Sequence, residues 1–437
     1  MQSKDNKSTI RAWAMFDWAN SAYNLVITST IFPAYYTAIT TTKEQGDKVD
    51  FFGFTFVNTA LANYSLSVSY LIMAILLPVL SGVADARGNK KFFMKVFTWI
   101  GSLACMALYF FESDTLELGV ICSAVAAAGY IGGVMFSNSY LPQIASVGRQ
   151  DKVSAQGFSY GYVGSVLLQI ICFVFVLKPE LFGITDASFP ARLSFLLVGL
   201  WWIGFAQIPF RKLPDGTPAL AKSTLNVVAS GYSELAKVWR QLKELKVLKR
   251  FLSAFFLYSV GVQTIMLVAT AFGAKVLQME TSELIQIILI IQLVAIAGAY
   301  FMSGLAKRIG NIPVLMLVVL IWVGVCVAAY FIETKGQFFA LAGLVGIIMG
   351  GIQSLSRSTY SKLLPANTPD TASFFSFYDV TEKIAIVIGL ATFAFIEEHS
   401  NIRNSALGLT LFFIAGFIAL FVVLKTKPST YEVSKTS

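Results

Sequence analysis

The chain is predicted to be an all-α integral membrane protein, twelve transmembrane helices arranged as two pseudo-symmetric six-helix bundles. Three observations predict this. Apolar blocks of spanning length recur, 92–111, 284–303 and 402–424 among them, and roughly 20 apolar residues carry a helix across the hydrocarbon of a bilayer. The composition agrees, at 56% hydrophobic, 13% charged and a mean hydropathy of +0.69. The third observation is a repeat between the two halves of the chain.

The start, 1–11, is polar and basic and runs straight into the first span. A signal peptide, with a short apolar stretch before a small-residue cleavage site, is therefore not expected. Helix 1 is read at 12–40, long enough to require tilt or an extension into the interface. Helices 2 to 6 follow at 60–83, 92–111, 116–144, 155–177 and 191–210. The connection 211–249 opens with Pro214, Gly216 and Pro218, which is loop chemistry. From about Asn226 to Lys249 it mixes Val, Leu and Trp with Lys and Arg. That pattern suits an amphipathic helix on the membrane face and equally a solvated linker. Helices 7 to 12 are read at 250–274, 284–306, 312–332, 338–364, 371–396 and 402–425. The domains are an N-terminal bundle at 1–210, the linker at 211–249 and a C-terminal bundle at 250–437.

Orientation follows from the basic residues. Lys4, Lys7, Arg11, Arg87, Lys90, Lys91, Lys95, Arg149, Lys152, Arg211, Lys212, Lys222, Lys237, Arg240, Lys243, Lys246, Lys249, Arg250, Lys307, Arg308, Lys362, Lys425, Lys427 and Lys435 fall at one set of helix ends. Only Lys43, Lys48, Lys178, Arg192, Lys275, Lys335 and Arg403 fall at the other. The asymmetry places both termini in the cytoplasm. It also accounts for the net charge of +9 without a nucleic-acid partner.

The chemistry open to the chain is narrow. Cys105, Cys122, Cys172 and Cys326 all lie within predicted spans, without metal-ligand spacing. The single histidine, His399, sits in a loop beside Glu397 and Glu398. No zinc site, Ser–His–Asp arrangement or phosphate-binding G-x-x-x-x-G-K-[ST] segment is present. The expectation is a protein that is not an enzyme and needs no metal or cofactor.

The repeat is specific. Ser81-Gly-Val-Ala-Asp-Ala-Arg-Gly-Asn89 follows helix 2, and Ser303-Gly-Leu-Ala-Lys-Arg-Ile-Gly-Asn311 follows helix 8. Ala155-Gln-Gly-Phe-Ser-Tyr160 opens helix 5 and Ala372-Ser-Phe-Phe-Ser-Phe377 opens helix 11. Such six-plus-six duplication is a mark of secondary transporters. The first segment, with Lys90 and Lys91, resembles the loop 2–3 signature of the major facilitator superfamily. Gly82 permits close approach, Gly88 a sharp turn, and Arg87 adds a basic group. In a facilitator fold Asp85 would neighbour the amino terminus of helix 11, where the helix dipole favours a carboxylate. Gly82, Asp85, Arg87 and Gly88 are thus a candidate conformational gate. The plainer reading is a topogenic basic loop.

A narrower resemblance begins in helix 1 with Arg11-Ala-Trp-Ala-Met-Phe-Asp-Trp-Ala-Asn-Ser-Ala-Tyr-Asn24. It continues through Asn138-Ser-Tyr-Leu-Pro142, Ser154-Ala-Gln-Gly-Phe-Ser-Tyr-Gly-Tyr-Val-Gly164, Gly350-Gly-Ile-Gln-Ser-Leu-Ser-Arg-Ser358 and Phe377-Tyr-Asp-Val-Thr-Glu-Lys383. Together these resemble the facilitator branch of the autophagy-related vacuolar amino-acid effluxers and their bacterial relatives. The chain departs from that pattern at Glu382, where the branch usually has a small residue before the lysine. The resemblance implies alternating access and a bacterial inner-membrane location. It also implies efflux or exchange of an amino acid or similar zwitterion, with proton coupling an open alternative. Peptides, muropeptides or amphiphilic drugs are the alternative cargo, and a non-transporting sensor or lipid-handling protein the alternative class. Partners are then a small-molecule substrate and membrane lipids, with a monomer as the default.

Charges within spans cost about 2.5–3.5 kcal/mol each on insertion scales, so they are usually paired or functional. Asp17, Arg357, Asp379, Glu382 and Lys383 are the clear cases. Asp379, Glu382 and Lys383 share one face of helix 11, with Asp379 and Lys383 in the favourable acid-first i,i+4 order. Two readings stand: a structural ion pair with one snorkelling acid, or a substrate or proton site. In a facilitator fold helices 1, 4, 7 and 10 line the cavity, which nominates Asn20, Tyr23, Asn24, Asn138, Gln263, Gln353 and Arg357. An amino-acid carboxylate would meet Arg357, and its ammonium Asp17.

Overall fold

The computed structural model describes residues 4–42, 46–216 and 227–426. Lys43, Pro218, Lys222, Asn226, Lys427 and Lys435, used above, lie outside them. Helices 2 to 6 are Asn58–Arg87, Lys90–Ala107, Leu116–Asn138, Gln150–Leu177 and Phe189–Lys212. Helices 7 to 10 are Lys246–Leu277, Thr281–Ile309, Asn311–Phe331 and Lys335–Leu363. Helix 12 is Ile402–Gly408 continued by Thr410–Lys425. Among the described residues these ten are long and apolar enough to cross a membrane. Leu71, Ile75 and Leu411 are 63%, 65% and 71% exposed on the outer surface, which in lipid costs nothing.

The two remaining helices are more polar or broken. Helix 11, Thr371–His399, has Asp379, Glu382 and Lys383 near its middle. Helix 1 is not one α-helix: Lys7–Ala22 gives way to a π-helical stretch, Tyr23–Thr30, before Ile31–Thr40. π-turns loosen the carbonyl ladder and concentrate at functional sites. Side chains support this one. The Thr30 hydroxyl lies 2.7 Å from the Leu25 carbonyl oxygen and 2.8 Å from Gln169 Oε1, and the Ser29 hydroxyl donates to Asn24 O at 2.9 Å.

Packing within the halves is equivalent under a shift of six helices. Helix 1 packs on helices 5 and 6, as helix 7 packs on 11 and 12. Helix 3 packs on 4 and 6, as helix 9 packs on 10 and 12, and the pairs 2–4 and 8–10 correspond. Between the halves helix 5 meets helix 8 and helix 2 meets helix 11, contacts that the same shift exchanges. Small residues make the close crossings possible. A Cβ on Gly350 would stand 2.1 Å from Ala295 O, and one on Gly298 2.1 Å from Ile347 O, so helices 8 and 10 touch backbone to backbone.

Two elements lie outside the spans. A hairpin of Lys48–Phe51 and Phe54–Val57 follows helix 1. Its turn residues Phe52 and Gly53 both have positive φ, 48° and 82°, as tight hairpins require. The linker helix, Val227–Glu244, is docked on protein. Its Gly231 meets Gly82 of helix 2 so closely that a Cβ on Gly82 would lie 2.3 Å from Gly231 O. Val238 and Leu242 are buried, and Trp239 packs on Phe377 of helix 11 with ring centroids 5.6 Å apart. The linker helix therefore spans both halves on the face that carries the two ends of the described chain, here the termini face.

Candidate functional site

Polar bridges between the halves gather on the termini face. The Asp85 carboxylate, at the end of helix 2, accepts from the backbone N–H groups of Ala372 at 3.1 Å and Ser373 at 2.6 Å. These donors belong to the first turn of helix 11 and have no acceptor within their own helix. Gly88 closes helix 2 with φ 65°, its N–H returning to Ala84 and Asp85, which frees Asp85 to point across. Buried Lys90 donates to Ser139 O at 3.3 Å and Thr371 Oγ1 at 3.2 Å, and lies 4.0 Å over the Tyr140 ring. Arg87 is exposed on the same face.

The repeat supplies a second bridge with the charges exchanged. Asn311, which matches Asn89, donates to Asp151 Oδ1 at 2.7 Å, and Lys362 at the end of helix 10 pairs with Asp151 and Asn311. Asp151 stands in the first turn of helix 5. Sequence reasoning missed Lys90, Asp151 and Lys362 as bridging residues, since Lys90 and Lys362 entered only as topogenic cations. The repeat itself was the signal: if loop 2–3 meets helix 11, loop 8–9 must meet helix 5.

Deeper lies Arg357 of helix 10, 3% exposed. Its Nη1 donates to Asp17 Oδ2 at 3.1 Å and Asn138 Oδ1 at 2.9 Å; its Nε donates to Ser154 Oγ at 3.0 Å and Nη2 to Ser154 O at 2.8 Å. The guanidinium centre lies 4.1 Å from the Phe158 ring and 4.7 Å from the Trp13 ring. One side chain thus ties helix 10 to helices 1, 4 and 5. Gly157 makes the space: a Cβ there would stand 2.5 Å from Asp17 Oδ2 and 2.8 Å from Arg357 Nη2. In this state Asp17 and Arg357, expected to receive the two ends of a substrate, are paired with each other.

Above Arg357 opens a cavity of about 510 Å³, within the range of small-molecule sites. Its wall includes Asn24, Asn138, Gln263, Gln353, Arg357, Glu382 and Lys383. Gln353 accepts from the Tyr162 hydroxyl at 2.6 Å, across the halves. Glu382 accepts from Gln263 Nε2 at 2.8 Å and from Lys383 at 3.0 Å. Lys383 also stands 3.7 Å from Asp379 and 6.0 Å from the Tyr70 ring. Asp17, Asn20, Tyr23 and Asp379 lie outside the wall. Asn20 is 1% exposed, Tyr23 packs between Tyr130 and Trp202, and Asp379 sits behind Lys383 with Oδ2 buried and unpartnered.

Outside the spans, the linker helix adds one charged contact. Lys237 pairs with Glu234 at 2.6 Å and with Asp370, the residue before helix 11, at 2.8 Å. Burial pushes the Glu234 carboxyl above the usual carboxylate range; Lys237 pulls it down and Asp370 pushes it up.

Among the described residues, twelve long helices, matched contacts within the two halves and a cavity between them have the arrangement of the major facilitator fold. The chain belongs to the family described as "Vacuole effluxer Atg22 like", whose family model matches residues 5–431. It is 32% identical over 414 residues to the "Uncharacterized MFS-type transporter YxiO" of Bacillus subtilis (strain 168), covering 94% of each chain. It is 26% identical over 425 residues to "Autophagy-related protein 22" of Pichia angusta, covering 82% of this chain and 73% of that one. In fold it resembles the proton:xylose symporter XylE, with a TM-score of 0.70 at 13% identity, 96% of each chain being covered.

Proposed function

We propose that the protein is a secondary active transporter that effluxes or exchanges small zwitterionic metabolites of the amino-acid kind by alternating access. One observation carries the substrate class. Glu382 and Lys383 stand side by side on the cavity wall, 3.0 Å apart, an acid and a base with which an ammonium and a carboxylate can exchange partners. The amide groups of Asn24, Gln263 and Gln353 add neutral donors and acceptors beside them.

The gating reading rests on the bridges. With the termini face in the cytoplasm, as the basic residues argue, this is the state closed toward the cytoplasm. Reaching the other state requires Asp85 to leave helix 11, Asp151 to leave Asn311 and Lys362, and Arg357 to leave Asp17. Each is a charge-assisted contact between halves, of about 1.5–3 kcal/mol, so they set the balance between the two states. One chain lines the whole cavity, which supports a monomer as the working unit, and the Bacillus relative supports a bacterial cytoplasmic membrane.

The test is counterflow in proteoliposomes with labelled amino acids, with and without a pH gradient. Saturable exchange is the expected outcome, and uphill movement on a gradient would add proton coupling. Exchange of labelled peptides or cell-wall fragments, with none of amino acids by the same folded protein, would sink the substrate class.

A further inference from the structure

We infer that the cavity selects a solute carrying one net positive charge, an amine beyond the zwitterion, and that Glu382 is the residue that selects it. This rests on the transport reading above and narrows its substrate class.

The argument is a charge count. Among the described residues, five charged side chains, Asp17, Arg357, Asp379, Glu382 and Lys383, lie deep in the spans. Asp17 and Arg357 match each other one to one at 3.1 Å, both buried. The other three do not balance: Lys383 faces Asp379 at 3.7 Å and Glu382 at 3.0 Å. One lysine answers two carboxylates. An unmatched charge at this depth is costly, so the group is one cation short.

The two acids are not equivalent. The Asp379 side chain is 5% exposed and lies off the cavity wall, within Lys383's own helix turn. Its Oδ1 stands 3.7 Å from Lys383, and a solute in the cavity does not reach it. The Glu382 side chain is 23% exposed and lines the wall. Gln263 of helix 7 holds one of its oxygens at 2.8 Å and Lys383 the other at 3.0 Å, and all three side chains line the cavity. Of the two acids in a group with one cation, Glu382 is therefore the one a solute meets.

The surroundings suit an ammonium. Tyr70, Tyr130 and Tyr258 line the same cavity, and ring faces attract cations.

The experiment uses the full chain, purified and reconstituted, with lysine, leucine and glutamate as probes of net charge +1, 0 and −1. Binding is read by thermal shift and calorimetry, flux by counterflow. In the wild type, lysine binds most tightly. In Glu382→Gln, which keeps the shape and the Gln263 contact, lysine binding weakens by about tenfold or more and its advantage over leucine is lost. Glu382→Asp, which keeps the charge, retains the lysine preference and checks that the Gln effect is not loss of fold. Leucine or glutamate binding as tightly as lysine in the wild type overturns the inference, a proton then being the natural counter-charge. So does lysine affinity unchanged in Glu382→Gln. Because binding is read apart from flux, lysine binding without exchange would overturn the transport reading alone.

Discussion

Arg357 shows how far one residue can organise a membrane protein. Its guanidinium meets Asp17, Asn138 and Ser154 between two aromatic rings, so four helices depend on a planar fork that lysine cannot reproduce. Arg357→Gln leaves Asp17 buried and unpaired. Breaking a buried pair in this way costs about 3–5 kcal/mol, which thermal unfolding in detergent will report as a large drop in melting temperature. The double variant Asp17→Asn with Arg357→Gln removes both charges and should recover a substantial part of that loss. A double variant no more stable than the single one would mean that the ion pair is not the source of the effect. Gly157→Ala tests the same site by volume: its Cβ intrudes between the partners, at about 1–3 kcal/mol for such overpacking.

At the scale of elements, the ends of helices decide which state is held. The amino terminus of helix 11 is capped by Asp85 from the other half, and losing a cap costs about 0.5–2 kcal/mol. About 1.4 kcal/mol is a tenfold change in population, so Asp85→Ala should shift the balance measurably toward a form open on the termini face. Spin labels at exposed Lys152 and Lys307, on helices 5 and 8, should show a growing longer-distance component; an unchanged distance distribution would remove Asp85 from the gate. The linker helix makes its own prediction. Glu234 holds its proton more tightly when docked, so its contribution to docking is full below the ordinary carboxylate range and fades as pH rises through the raised value. A spin label at exposed Arg240 should become more mobile as the pH is raised from the ordinary carboxylate range of about 4, and Glu234→Gln should abolish the change.

Over the whole molecule, what was legible in the sequence is what lipid and duplication dictate. Apolar length predicts the spans, and the Ser81–Asn89 repeat predicts the pairing of halves; Gly88 takes the positive φ its turn needs. Asp85 reaches helix 11 because a facilitator arrangement leaves it little else to meet. Asp17 and Arg357 were legible as costly charges, but not as each other's partner, since depth along two helices does not reveal which faces turn together. The π-helical stretch in helix 1 left no trace in residues that read equally well as α-helix. The hairpin was hidden because Phe51, Phe52, Phe54 and Phe56 look like the edge of an apolar span. The linker's mixed Val, Leu and Trp pattern read as a helix on the membrane face or a solvated linker, whereas helix 2 covers it, because the pattern gives an apolar face but not its partner.

The Asp17–Arg357 pair also constrains how the protein is made. The partners are 340 residues apart, which at ribosomal speed is a delay on the order of tens of seconds. During that interval helix 1 sits in the bilayer with its aspartate unanswered, and neither it nor helix 11 has the apolarity of the other ten spans. Biogenesis must therefore pass through a half-synthesised intermediate whose first helix is held by its neighbours, or by the insertion machinery, until helix 10 arrives. A ribosome-stalled nascent chain ending before Arg357 should be cleared by membrane proteases faster than one ending after it.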